Sequence, residues 1–232
     1  MNIDSEKPIQ PALRQRCEVR IASDTAALEA LSSKLMQVAS RRFGNSVVEV
    51  MLFFPSVRTA LKECSSGRVV VRETPVKCVI RPNAGNSFPY PLGSPEVRIE
   101  FPGLDPEVFV PWLGGLAWID GTLAGGFLGA LGLSLPALPA GKGAFGIPCL
   151  WREGGWTPAC DLVFVARQVH RLLTDPGDYS PKDAMNPEAA LYWATHRDRL
   201  PFEPPISELY GLGGADDCRR APSKRFLLTA IE

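Results

Sequence analysis

The chain has 232 residues, 25 Lys+Arg against 25 Asp+Glu and a 45% hydrophobic share, enough apolar material to bury a core and too much for compositional disorder. A formal net charge of zero, with no basic run longer than Arg219-Arg220, argues against holding nucleic acid through phosphate contacts and counterion release. Six Cys at positions 17, 64, 78, 149, 160 and 218 include no Cys-x-x-Cys pair and have only His170 and His196 beside them, which argues against a zinc ribbon or a disulfide scaffold.

Met1 to Pro8 has neither the basic start nor the apolar run of a secretory signal, so the expected compartment is the cytoplasm, with reduced thiols. Ser23 or Asp24 can cap a helix, and the spacing of Leu28, Leu31, Leu35 and Val38 predicts it over Thr25 to Arg42. After Gly44-Asn45, the β-branched and aromatic run Val47 to Phe54 predicts a strand that ends at Pro55. Two more short strands, Arg68 to Glu73 and Val76 to Arg81, follow the turn signals Ser65-Ser66-Gly67 and Thr74-Pro75. A Pro-studded loop, Asn83 to Pro95, leads to a fourth strand, Glu96 to Phe101, whose polar/apolar alternation predicts one buried and one wet face.

Residues 103 to 146 are rich in Gly and apolar side chains, and Gly121 to Gly141 carries no charge. That stretch is long enough for a membrane span. Six glycines, Pro136 and Pro139 within it weaken a helix, so a packed or partner-covered apolar loop is expected and a membrane span is not. Asp161 can cap the next helix, striped by Leu162, Val165, Val169 and Leu172 and stopped at Asp175-Pro176-Gly177. Asn186-Pro187 starts a last helix to about Arg199, with Ala190, Leu191 and Ala194 on one face. The order predicts an α+β fold: an N-terminal helix, a four-stranded antiparallel sheet, an irregular Gly-rich insertion and C-terminal helices.

Five spaced segments resemble the wording of one family. Phe88-Pro89-Tyr90-Pro91 and Pro95-Glu96-Val97-Arg98 are similar to the Tyr-Pro and Pro-x-Val region between the third and fourth strands of ubiquitin-conjugating enzymes. Gly146-Ile147-Pro148-Cys149-Leu150 with Trp156-Thr157-Pro158-Ala159 resembles their Cys-Leu and Trp-Ser/Thr-Pro-Ala signature. Leu172-Leu173-Thr174-Asp175-Pro176 and Asn186-Pro187-Glu188-Ala189-Ala190 continue the match in order. The resemblance is to a bacterial branch of the superfamily. It implies a UBC-like conjugating domain over residues 23–200, with an insertion at 103–146 and extensions at 1–22 and 201–232.

That resemblance implies that Cys149 accepts a ubiquitin-like modifier as a thioester from a ubiquitin-activating-like enzyme and passes it to a protein target, with no metal or organic cofactor. It further implies a place in a bacterial antiphage defence operon. A sulfur nucleophile suits such chemistry, because a thiolate is strongly nucleophilic near neutral pH. In the same comparison Trp156 and Pro158 are the wall and turn beside the active Cys, and Cys160 is core. The alternative is a catalytically inactive module of the same fold that binds the modifier or its activating enzyme.

Departures from the pattern sharpen the expectations. Between Gly103 and Pro148 there is no His and no Asn, so the family's His-Pro-Asn motif, whose amide supports the loop and the oxyanion, is absent. Backbone N–H groups around Cys149, or Thr122 or Lys142, are candidate replacements; Arg81-Pro82-Asn83 has similar wording far upstream. On the acceptor side, Ser180 stands where the family carries an acidic residue, and Asp178 lies two positions earlier. A Cys hydrolase would need His170 or His196 as base. His170 falls beside the helix stripe and reads as partly exposed, and His196 sits among Arg197, Asp198 and Arg199 as a solvated helix end. Leu212-Gly213-Gly214 reads as an internal loop, and Arg219, Arg220, Lys224 and Arg225 as a solvated tail.

Overall fold

In the computed structural model, which describes residues 11–33, 35–43, 47–82, 90–119, 144–150, 155–176 and 179–199, the first helix starts earlier than its stripe predicts. Helix α1 spans Pro11–Glu29, so it begins inside the segment read as an N-terminal extension. Its buried face is Cys17, Ile21, Asp24, Thr25 and Leu28, a spacing of four, three, one and three that follows one helical side. The expected continuation to Arg42 does not occur. The Ser32 and Ser33 hydroxyls accept the Val38 and Leu35 amides at 3.1 Å, and the Ser33 amide donates to the Met36 carbonyl at 2.7 Å. Serine oxygens that capture backbone donors compete with the helix ladder, and they turn the chain into strand β1 (Gln37–Phe43).

The sheet is antiparallel, open and seven-stranded, not four-stranded. Strands β2 (Val47–Glu63), β3 (Val69–Arg81), β4 (Glu96–Glu100), β5 (Phe109–Pro111), β6 (Leu116–Ile119) and β7 (Phe145–Pro148) join β1 in the order β1-β2-β3-β4-β7-β6, with β5 on the far end of β2. Strand β2 runs through Pro55, and the two predicted pieces of the next strand are one. Phe54 pairs with Val76 and Val57 with Thr74, so Pro55 and Ser56 oppose Pro75 alone in a bulge. A bulge leaves residues out of the ladder, which is where a proline costs no hydrogen bond. On the other side of β2, β1 reaches Phe53 and β5 starts at Leu61, so Pro55 faces no strand there either. Gly67, at φ 69°, turns β2 into β3; that left-handed conformation is strained for any residue with a Cβ.

Strand β4 corrects a second expectation. Val97, Arg98 and Ile99 are all buried, because β4 lies between β3 and β7 and is covered on both faces. Arg98 is accommodated by Glu96 at 3.3 Å and by the Phe145 ring, 4.9 Å from the guanidinium carbon. The Gly-rich insertion contributes β5, β6 and the first two residues of β7, short strands that its composition hid. Among the described residues no helix is long and apolar enough to cross a membrane, and Gly121 to Gly141 lies outside them.

Helix α2 (Leu162–Thr174) is the predicted one. The Asp161 carboxylate caps it, accepting the Phe164 amide at 2.6 Å. It packs on β2 and α1, and the Thr59 hydroxyl reaches the Leu173 carbonyl at 2.9 Å. His170 is buried at 4% exposure against Phe54, not partly exposed. It sits one residue past Val169, within the arc of a helix covered on more than a single stripe. Helix α3 (Pro187–Thr195) is capped by Asn186 and followed by a short 3₁₀ turn, Arg197–Arg199. It buries Ala189, Ala190 and Trp193, while Leu191 is exposed, so the predicted Ala190-Leu191-Ala194 face is rotated. Trp193 sets the rotation: its indole donates to the Trp112 carbonyl at 2.7 Å. One core cluster joins Ile21 and Leu28 of α1, Leu52, Phe54, Ile80 and Ile99 of the sheet, Leu162 and Val169 of α2, and Trp193 of α3.

Candidate active site around Cys149

Cys149 is the first residue after β7 and is half-buried. Its backbone is held at both ends. The Cys149 amide donates to the Gly115 carbonyl at 2.8 Å, and the Tyr179 hydroxyl donates to the Cys149 carbonyl at 2.8 Å. Gly115 belongs to the Gly114-Gly115 turn that opens β6, where a Cβ would crowd its neighbours. A Cβ on Gly115 would lie 2.2 to 2.6 Å from the Tyr179 ring, and one on Gly114 would lie 3.0 to 3.2 Å from Ala190 and Tyr179. The Gly114 carbonyl in turn accepts the Asn186 amide at 3.0 Å. The turn therefore ties the Cys149 loop to the start of α3. Gly146, three residues before Cys149, is equally constrained: a Cβ there would meet the Leu116 side chain at 2.5 to 2.8 Å, across the β6–β7 pair.

Two of the segments that carry the family resemblance also meet. The Trp156 indole donates to the Pro91 carbonyl at 2.9 Å, and its ring lies 5.8 Å from that of Tyr90. The Tyr90 hydroxyl donates to the Asp24 carboxylate, which also accepts the Arg20 guanidinium at 2.8 Å; Arg20 continues to the Pro158 and Cys160 carbonyls at 3.3 and 3.1 Å. Helix α1, the Tyr-Pro segment and the Trp-Thr-Pro-Ala segment are thus one hydrogen-bonded unit. Burial, followed by the Asp24 carboxylate, pushes the Tyr90 phenol well above its ordinary range. Trp156, expected as a wall beside Cys149, packs on Tyr90 and Pro91.

The remaining cysteines differ from Cys149 in setting. Cys160 is fully buried, with the Thr157 amide 3.5 Å from its sulfur, as expected of a core residue. Burial raises the Cys78 thiol far above its usual range and raises Cys17 as well, so both are poor nucleophiles at neutral pH. Cys64 is exposed at the β2–β3 turn, and Cys218 lies outside the described residues.

Of the acceptor-side and oxyanion candidates, Ser180 is described: it is exposed, directly after Tyr179, and its hydroxyl lies 3.4 Å from the Lys182 amide. Asp178, Thr122, Lys142 and Asn83 lie outside the described residues. His170 is directed into the core beside Phe54. His196 stacks on Tyr192 at 4.2 Å, its Nδ1 within 2.9 Å of the Tyr192 carbonyl and 3.0 Å of the Thr195 hydroxyl; it ends α3 as expected and is half-buried. Among the described residues no group of three His, Cys, Asp or Glu is arranged to hold a metal. Sequence reasoning missed Tyr179, Gly114 and Gly115. The Gly-Gly pair between Leu113 and Leu116 was the available signal, obscured by the many glycines around it.

The fold and site define an α+β protein in which an open antiparallel sheet delivers one half-buried cysteine to a loop braced by Gly115 and by Tyr179 of the α2–α3 connection. No protein-family model, curated protein or solved structure matches the chain.

Proposed function

We propose that Cys149 is an acyl carrier of the ubiquitin-conjugating type. Its thiolate attacks the thioester carbonyl between a ubiquitin-like modifier and an activating enzyme, forms a new C–S bond and expels the activating enzyme's thiolate. An amine or hydroxyl on the protein target then attacks the Cys149 thioester, releases the Cys149 thiolate and loses its proton to water. No metal or organic cofactor takes part. The UBC-like arrangement of α1, sheet, cysteine loop and C-terminal helices, with a modifier, an activating enzyme and a target as partners, belongs to this proposal, as does service in a bacterial antiphage operon.

The observation that carries it is the setting of Cys149: half-buried on a backbone-braced loop, while its neighbour Cys160 is shut in the core. Ser180, exposed and adjacent in sequence to the brace, is the described candidate on the acceptor side. The test mixes the protein with an activating enzyme and a ubiquitin-like protein encoded beside it, plus nucleotide. Wild type should gain an adduct that thiol reductant removes, and Cys149→Ser an ester that reductant leaves. An unmodified protein in both forms would overturn the carrier role and leave the modifier-binding module in its place.

A further inference from the structure

Resting on the carrier role of Cys149, we infer that Tyr179 is its positioning residue, doing through a phenol what the absent His-Pro-Asn amide would do for the loop. The geometry is specific. The peptide groups on either side of the Cys149 Cα are both engaged: the N–H by the Gly115 carbonyl at 2.8 Å, the C=O by the Tyr179 hydroxyl at 2.8 Å. The two partners are themselves in contact, because the Tyr179 ring occupies the space that a Gly115 Cβ would need. Gly115 and Tyr179 therefore act as a single clamp, and the φ and ψ of Cys149 cannot turn without breaking one of its two bonds. Holding a reacting atom in a fixed direction contributes to rate without touching the reacting bonds.

The phenol also has an electrostatic consequence. A carbonyl oxygen on the same residue as the sulfur places partial negative charge beside a thiolate. The Tyr179 proton offsets that charge, so removing the hydroxyl disfavours the thiolate and moves its formation to higher pH.

Two variants separate positioning from folding. Tyr179→Phe keeps the ring and loses only the donor. Gly115→Ala keeps the donor but forces the ring away. The first readout needs no partner protein: the rate of Cys149 alkylation by iodoacetamide as a function of pH, in a background with Cys64 and Cys218 changed to Ser and with thermal melting as the fold control. Each variant should slow alkylation at neutral pH by up to roughly fivefold, the weight of one ordinary hydrogen bond, and shift the profile to higher pH. The double variant should be no slower than Gly115→Ala alone, because the two changes break one clamp. The second readout is the discharge of loaded protein, where Tyr179→Phe should lower the turnover rate and leave the KM for acceptor unchanged. Unaltered alkylation profiles, or single effects that multiply in the double variant, would overturn the assignment. If wild type never loads, the carrier role fails while the alkylation profiles still decide the role of Tyr179.

Discussion

Replacing Asp24 by Ala tests the unit that binds α1 to the two motif segments. Asp24 is 7% exposed and accepts from the buried Tyr90 hydroxyl and from Arg20. Its loss removes a charge-assisted hydrogen bond of about 1.5–3 kcal/mol and leaves the Tyr90 hydroxyl without that acceptor, a penalty of about 1–3 kcal/mol. The Arg20 pair adds little, because its side chain is 33% exposed and screened exposed i,i+4 pairs contribute only about 0.3–0.5 kcal/mol. Arg20 also keeps the Pro158 and Cys160 carbonyls. The expected cost is about 3 kcal/mol, read as a lower urea midpoint at unchanged slope. Tyr90→Phe alone should cost about 1.5 kcal/mol, since Asp24 retains Arg20. The diagnostic is the double variant: with the orphaned hydroxyl gone, Asp24→Ala/Tyr90→Phe should be about 1 kcal/mol more stable than Asp24→Ala. A double variant destabilised by the sum of the singles would refute this coupling.

Asp161→Ala removes the cap of α2 and should cost about 1 kcal/mol in denaturant melts. Trp193→Phe deletes the donor to the buried Trp112 carbonyl and should cost about 2 kcal/mol; a neutral result would remove Trp193 as the determinant of the α3 rotation. Alkaline pH should weaken the fold through Tyr90 and Cys78. Both are held protonated in the native state, by burial first, so their folded pKa values lie above the unfolded ones. Their contribution is complete below about pH 8.5 for the thiol and about pH 10 for the phenol, and is lost as pH rises beyond those values. Stability measured against pH should fall less steeply on the alkaline side in Tyr90→Phe than in wild type.

Much of this architecture was legible in the residues, for local reasons. Asp161 and the Leu162-Val165-Val169-Leu172 stripe specify α2 within one segment, and cap and stripe agree. Asn186-Pro187 specifies the start of α3 in the same way. What was not legible depended on partners distant in sequence. Leu35 and Val38 fall on a helical period, yet Ser32 and Ser33 divert their amides and β2 supplies a strand partner. Pro55 and Pro75 look like strand ends until they are seen opposite one another in a single bulge. Arg98 alternates like a solvent residue, but Phe145 of β7, 47 residues later, covers it. At the candidate site, Cys149 is singled out by its neighbours in sequence, whereas Tyr179 and Gly115 bond its backbone from 30 and 34 positions away; the Gly114-Gly115 pair marks a turn but not that contact.

The most direct measurement is peptide mapping by mass spectrometry of the protein after incubation with activating enzyme, ubiquitin-like protein and nucleotide, quenched without reductant. A modifier C-terminus bonded to the sulfur of Cys149, and to no other cysteine, is the predicted result. A loaded protein whose adduct maps to Cys64, to Cys218 or to a lysine while Cys149 stays free would contradict the account.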